Sequence, residues 1–161
     1  MKKTIGVLLV LIFVAWVVAR IVIGIQFNQN CGGYLKRAAD ANTVELAKKQ
    51  LEIALMYIEQ KQLTSGYTSI IYRTPSEEVG FWYENLKSSL NELSTLKPDA
   101  TPLEKSNMLI KLRETLLDEG QSTTVTIPAG ISVYPYNTAM AILGGILLIP
   151  AVVGVKLLKS A

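Results

Sequence analysis

The chain contains no histidine. That removes imidazole acid–base catalysis, imidazole-ligated haem and most zinc sites. It contains one cysteine, Cys31, so an internal disulfide framework is excluded. It has no G-x-S-x-G elbow, no glycine-rich phosphate loop and no N-x-S/T glycan acceptor. Ser94-Thr95-Leu96-Lys97 matches S-x-x-K, but its place near a helix end, just before Pro98, is wrong for a serine that should open a buried helix. Adjacent Glu77 and Glu78 point in different directions on a helix and read as complements to its dipole. The sequence thus offers no catalytic residue, no cofactor-binding residue and no metal ligand set, and predicts a protein that is not an enzyme.

Acidic residues are missing from both ends. Lys2, Lys3, Arg20, Lys156 and Lys159 stand there without an Asp or Glu. Positions 26–135 hold eleven basic against thirteen acidic residues, a net charge of −2. The basic balance therefore belongs to the flanks of apolar runs, and nothing in it points to nucleic acid.

Two long apolar runs are present. Residues 4–25 carry Arg20 as their one charge, and about twenty apolar residues are enough for a helix to cross a bilayer. Val17-Val18-Ala19 would suit signal cleavage, but Ile21 to Ile25 continue the run, so an uncleaved anchor is expected. Arg20 lies close enough to one end to snorkel. The second run covers about 136–158, with Tyr134 and Tyr136 as an interfacial belt and Lys156 and Lys159 as anchors. Pro150 is tolerable in a membrane helix. Ala15 with Ala19 and Ala141 with Gly145 are small-xxx-small pairs suited to close helix contact. Lysines at both ends favour the cytoplasmic side, which two spans satisfy together.

Between the runs, helical periodicity recurs. Gly32-Gly33 reads as a break after the first span. A first helix is expected over 34–62, with Val44, Ala47, Leu51, Leu55 and Ile58 inward and a restart capped at Asn42. A second follows a Ser76 cap, with Val79, Trp82 or Tyr83, Leu86, Leu90 and Leu93 as its stripe to about Leu96. A third opens on Thr101-Pro102-Leu103-Glu104, faces Leu103, Ile110, Leu116 and Leu117 inward, and closes at Gly120. Residues 121–135 are uncharged and β-branched. They are expected to run extended down the bundle side, burying Val125 and Ile127.

The expected fold class is an all-α membrane protein in which two transmembrane helices flank an extracytoplasmic antiparallel bundle of about three helices with an extended return segment. The expected parts are an anchor at 1–25, a helical domain at 26–120, an extended juxtamembrane segment at 121–135, and a second span with a basic tail at 136–161. The expected location is the plasma or inner membrane, with both termini cytoplasmic. Tyr67, Tyr72, Arg73 and Trp82 are the candidate partner-binding residues, because aromatics with arginine are what protein interfaces favour. Three consecutive aromatics, Phe81-Trp82-Tyr83, cannot all face one core stripe. Cys31 is a candidate for an interchain disulfide in an oxidising compartment. The functional expectation is a non-enzymatic accessory or interaction subunit, with protein partners in a membrane complex or a homo-oligomer. The alternative is a ligand-binding sensor subunit that signals through a partner's membrane helices.

Overall fold

A computed structural model describes residues 1–118 and 124–160. The protein is mostly helical. Two of its helices are long and apolar enough to cross a membrane. The chain divides into two compact units. One comprises Met1–Ile25 with Ser132–Ala161, the other Gln26–Ile131.

In the first unit, α1 (Lys2–Phe27) contributes all but its last two residues, and α6 (Asn137–Lys159) is whole, with Pro150 inside it. Gly6 and Gly154 meet backbone to backbone: a Cβ on Gly154 would lie 2.7 Å from the Gly6 carbonyl oxygen. The Trp16 ring lies against Gly144, where a Cβ would come within 2.6 Å of it. Ten residues up α1 therefore match ten down α6, and the two helices run antiparallel. Lys2 and Lys3 share one end of this pair with Lys156 and Lys159. The small residues in contact are not those that the spacing favoured, since Gly145 faces open space. Before α6 come a 3₁₀ turn (Ile131–Val133) and a cis Tyr134–Pro135 bond.

In the second unit the helix does not break at Gly32-Gly33. It passes through a π turn (Asn28–Gly32) into α2 (Gly33–Ala39). Glycine's missing side chain lets the widened turn close: a Cβ on Gly33 would stand 2.9 Å from the Asn28 carbonyl oxygen. The chain pauses at 40–43 and restarts as α3 (Val44–Gln60). The cap is Thr43 rather than Asn42, its hydroxyl accepting from the Leu46 amide at 3.2 Å. The five residues expected to face inward on α3 are all buried.

α4 (Val79–Thr95) begins three residues after the Ser76 cap read from the sequence, because Pro75–Glu77 forms a separate 3₁₀ turn. Val79, Trp82, Leu86 and Leu93 are buried along it. α5 (Pro102–Leu116) opens with the expected capping box. Its inward face agrees with expectation at Leu116, and at Leu117 just beyond the helix, which are buried, but Leu112 joins them while Leu103 is 69% and Ile110 54% exposed. α2 packs on α3 and α5, and α3 packs on α4. Leu35, Leu51, Ile58, Leu86 and Leu116 form the centre of the core, a leucine-rich packing in which each side chain contributes roughly 1.5–3 kcal/mol by leaving water. Arg113–Asp40 at 3.4 Å and Lys111–Glu92 at 2.7 Å tie the surface, each worth about 0–1 kcal/mol.

α5 ends at Leu116 and turns directly into a strand. β1 (Leu117–Asp118) pairs antiparallel with β2 (Thr124–Val125). The expected close at Gly120 lies outside the described residues. The return segment is extended at β2, but Val125 is only half-buried and Ile127 is 36% exposed. Neither is core, because β2 turns back to pair with β1 instead of lying flat on a helix face.

Candidate functional site

The aromatic candidates lie on the connection between α3 and α4 and on the first turn of α4. α3 stops where Gln62 adopts a positive φ of 56° and the Leu63 amide reaches back to the Ile58 carbonyl at 2.9 Å. Leu63 is buried just beyond, which completes a helix end of the Schellman type. The connection is then stapled at its base. Val79 N–H donates to the Gly66 carbonyl at 2.9 Å and Thr68 N–H to the Glu77 carbonyl at 3.0 Å. Gly66, at φ 90°, supplies the bend that this needs. Thr68 is buried, and the Thr74 hydroxyl bonds the Glu77 carboxylate on the outgoing side.

Both ends are thereby fixed, and the tip between them projects. Ile71 is 90% exposed and Tyr72 72%. Ile70 beside them is also exposed. Arg73 bends back and holds its guanidinium 5.1 Å from the centre of the half-buried Tyr67 ring. Tyr67, Tyr72 and Arg73 are thus brought together on one loop.

The three consecutive aromatics of α4 separate as helical geometry requires. Trp82 is buried and donates its indole N–H to the Thr126 carbonyl at 3.0 Å, tying α4 to the segment after β2. Phe81 stays exposed. The Tyr83 hydroxyl donates a hydrogen bond to the Glu59 carboxylate at 2.8 Å, joining α4 to α3. That hydrogen bond, followed by burial and the charges of Glu59 and Glu84, pushes the Tyr83 hydroxyl up to about 12. Trp82 is therefore committed to the fold, and Ile70, Ile71 and Phe81 are the exposed apolar residues of this stretch. Ile70 and Ile71 stand in the same dense stretch of sequence as Tyr67, Tyr72 and Arg73, and nothing local separates an exposed isoleucine pair from a core one.

Beside Phe81 a cleft of about 530 Å³ opens between α4 and β2. Phe81, Trp82, Ile127 and Pro128 provide its apolar lining, and Glu78 and Asp118 its charge.

Cys31 is fully buried in the π turn, and burial pushes its thiol up to about 12. A thiol so placed meets a second chain only if the π turn opens, and it is not nucleophilic near neutrality. Among the described residues no group of three or more Cys, Asp or Glu side chains converges to hold a metal. No family model, curated protein or solved structure matches the chain.

Proposed function

We propose that the protein is a non-enzymatic, membrane-anchored accessory subunit that presents its helical domain outside the cytoplasm and engages a partner protein through the Ile70–Tyr72 tip and Phe81. The observation that carries this reading is the tip itself. Two large apolar side chains, 90% and 72% exposed, stand side by side on a loop whose base is held by backbone hydrogen bonds. Water gives no reason to hold them there, whereas a partner surface does.

The membrane placement draws on the apolar length of α1 and α6 and on the four lysines gathered at one end of their antiparallel pair. Lysine-rich ends favour the cytoplasm, which puts positions 26–135 on the far side. An impermeant maleimide applied to intact cells tests this at Ser88→Cys, an exposed position on α4. Labelling of intact cells is expected, and labelling only after lysis rejects the placement.

The contact is tested by Tyr72→Ala with Arg73→Ala, and separately by Ile71→Asp, in protein purified in mild detergent. Partner retention should fall while the melting temperature holds, since substitutions at exposed positions usually shift stability by less than about 0.5 kcal/mol. Early melting, or full retention of the partner, rejects the contact. The second reading, a ligand-binding sensor subunit, draws on the cleft beside Phe81, whose volume suits a small ligand.

A further inference from the structure

The tip and the cleft are a plug and a socket on one domain. Ile70, Ile71 and Tyr72 project into solvent from the α3–α4 connection, on a base held by backbone bonds from Val79 to Gly66 and from Thr68 to Glu77. The connection re-enters the fold at Pro75–Glu77, where Pro75, Ser76 and then Glu78 already form one side of the cleft. Phe81, Trp82, Ile127 and Pro128 make its apolar wall. None of the three tip residues lines it, so the tip does not fill its own cleft. Plug and socket therefore lie close together in sequence and open separately to solvent.

Each carries a charge of opposite sign. Arg73, directly after the tip, leans its guanidinium on the Tyr67 ring and makes no ion pair among the described residues. Glu78, on the cleft wall, stands at the N-terminal boundary of α4 without a side-chain capping bond. Its carboxylate meets no cation among the described residues. A cation thus follows the plug, and an anion sits in the socket.

We propose that the partner at the tip is a second copy of this chain. The Ile70–Tyr72 tip of each copy enters the cleft of the other, and Arg73 of each meets Glu78 of the other. A patch that carries both halves of a contact is self-complementary, so two copies close on a two-fold axis and make the contact twice. The cleft, at about 530 Å³, is of a size that encloses a small molecule and has room for large side chains. A small ligand would fill it and leave the tip in water. An unrelated protein would need a pocket for the tip and a plug for the cleft, whereas a second copy brings both. The proposal rests on reading the tip as a contact, and it names what the tip contacts.

Full-length chains with two different epitope tags are co-expressed, solubilised in mild detergent and captured through one tag, and recovery of the other tag is measured. Wild type should capture its second copy. Ile71→Asp in both copies should lower recovery about tenfold or more while the melting temperature holds. Arg73→Glu in both copies sets acid against acid at each contact, and Glu78→Arg in both sets base against base. Each should lower recovery by a similar factor. One copy with Arg73→Glu and the other with Glu78→Arg have opposite charges at both contacts, and recovery should return to near the wild-type level. Only a contact between copies gives that rescue, because neither chain is repaired within itself. No capture of wild type, indifference to Ile71→Asp, or no rescue in the mixed pair overturns the proposal. If wild type captures no second copy but Ile71→Asp releases a different protein, the second-copy assignment falls and the tip contact stands. If Ile71→Asp releases nothing at all, both fall.

Discussion

The two units are built inside out relative to each other. In the helical unit, leucine, isoleucine and alanine are buried, and the outer faces of α3, α4 and α5 carry the charges. In the paired long helices the arrangement reverses. Ile5, Leu8, Leu11, Ile21, Ile146 and Ile149 face outward, while Gly6, Gly144, Ala151 and Gly154 lie inside. In water the first arrangement is driven by removing apolar surface from solvent. The second gains little that way, because its largest apolar groups stay outside. Its inner contacts are backbone against backbone and an indole ring against a glycine, packing of the kind that associates helices in hydrocarbon. The difference teaches that apolar side chains are inside one unit and outside the other, and it supports the proposed membrane placement.

The comparison breaks if equivalent truncations behave alike. Leu51→Ala, at a wholly buried position on α3, should cost about 2–5 kcal/mol. Ile149→Ala, at a 70% exposed position on α6, should stay within about 0.5 kcal/mol. Thermal unfolding in detergent, followed by helical circular dichroism, checks both. A large loss at Ile149 would mean that this face packs against protein.

A smaller effect is expected from enlarging the glycines. Gly154→Leu drives its Cβ toward the Gly6 carbonyl, which is backbone and cannot rotate away, at a cost of about 1–3 kcal/mol. Gly145→Leu enters open space and should leave the helix pair intact. Spin labels on Lys3→Cys and Lys156→Cys should move apart in the first variant and not in the second. Equal distances in both would remove the glycine contact as the organising feature.

The last effect is invisible at neutral pH. Burial raises the Cys31 thiol from 9.0 to about 12, so the unfolded chain loses this proton before the folded one does. The stabilisation from keeping it neutral is complete below about pH 9 and is lost as pH rises from there toward 12. Cys31→Ala should flatten stability across that window, and an unchanged alkaline slope would assign it to other groups.

Much of this arrangement was legible in local chemistry. The Thr101–Glu104 box and the α3 stripe needed only neighbours in sequence, and both appear where the pattern put them. What was not legible depends on distant partners. Leu103, Ile110 and Leu116 fit one helical stripe, yet only Leu116 of the three is buried, joined by Leu112, and no local signal chooses between two such faces. The β1–β2 pairing was hidden because two residues per strand carry no period. At the candidate site, aromatic density pointed to the right stretch. It could not say that Trp82 would be tied to Thr126 while Ile71, outside the aromatic set, would stand free.

The π turn acts as a phase correction. Phe27, Cys31, Leu35 and Ala39 are all buried, at intervals of four. On an unbroken α-helix that interval drifts, and over twelve residues the last would lie roughly 120° around from the first. One extra residue accommodated in a π turn takes back roughly 100° of this drift. The stripe therefore stays on one side, and Phe27 keeps its edge contact with Tyr57, ring centres 6.1 Å apart. The bulge is then what keeps the buried stripe in phase with the bundle. Deleting Asn30 would restore a more regular helix and a poorer protein, because what the deletion changes is phase rather than length.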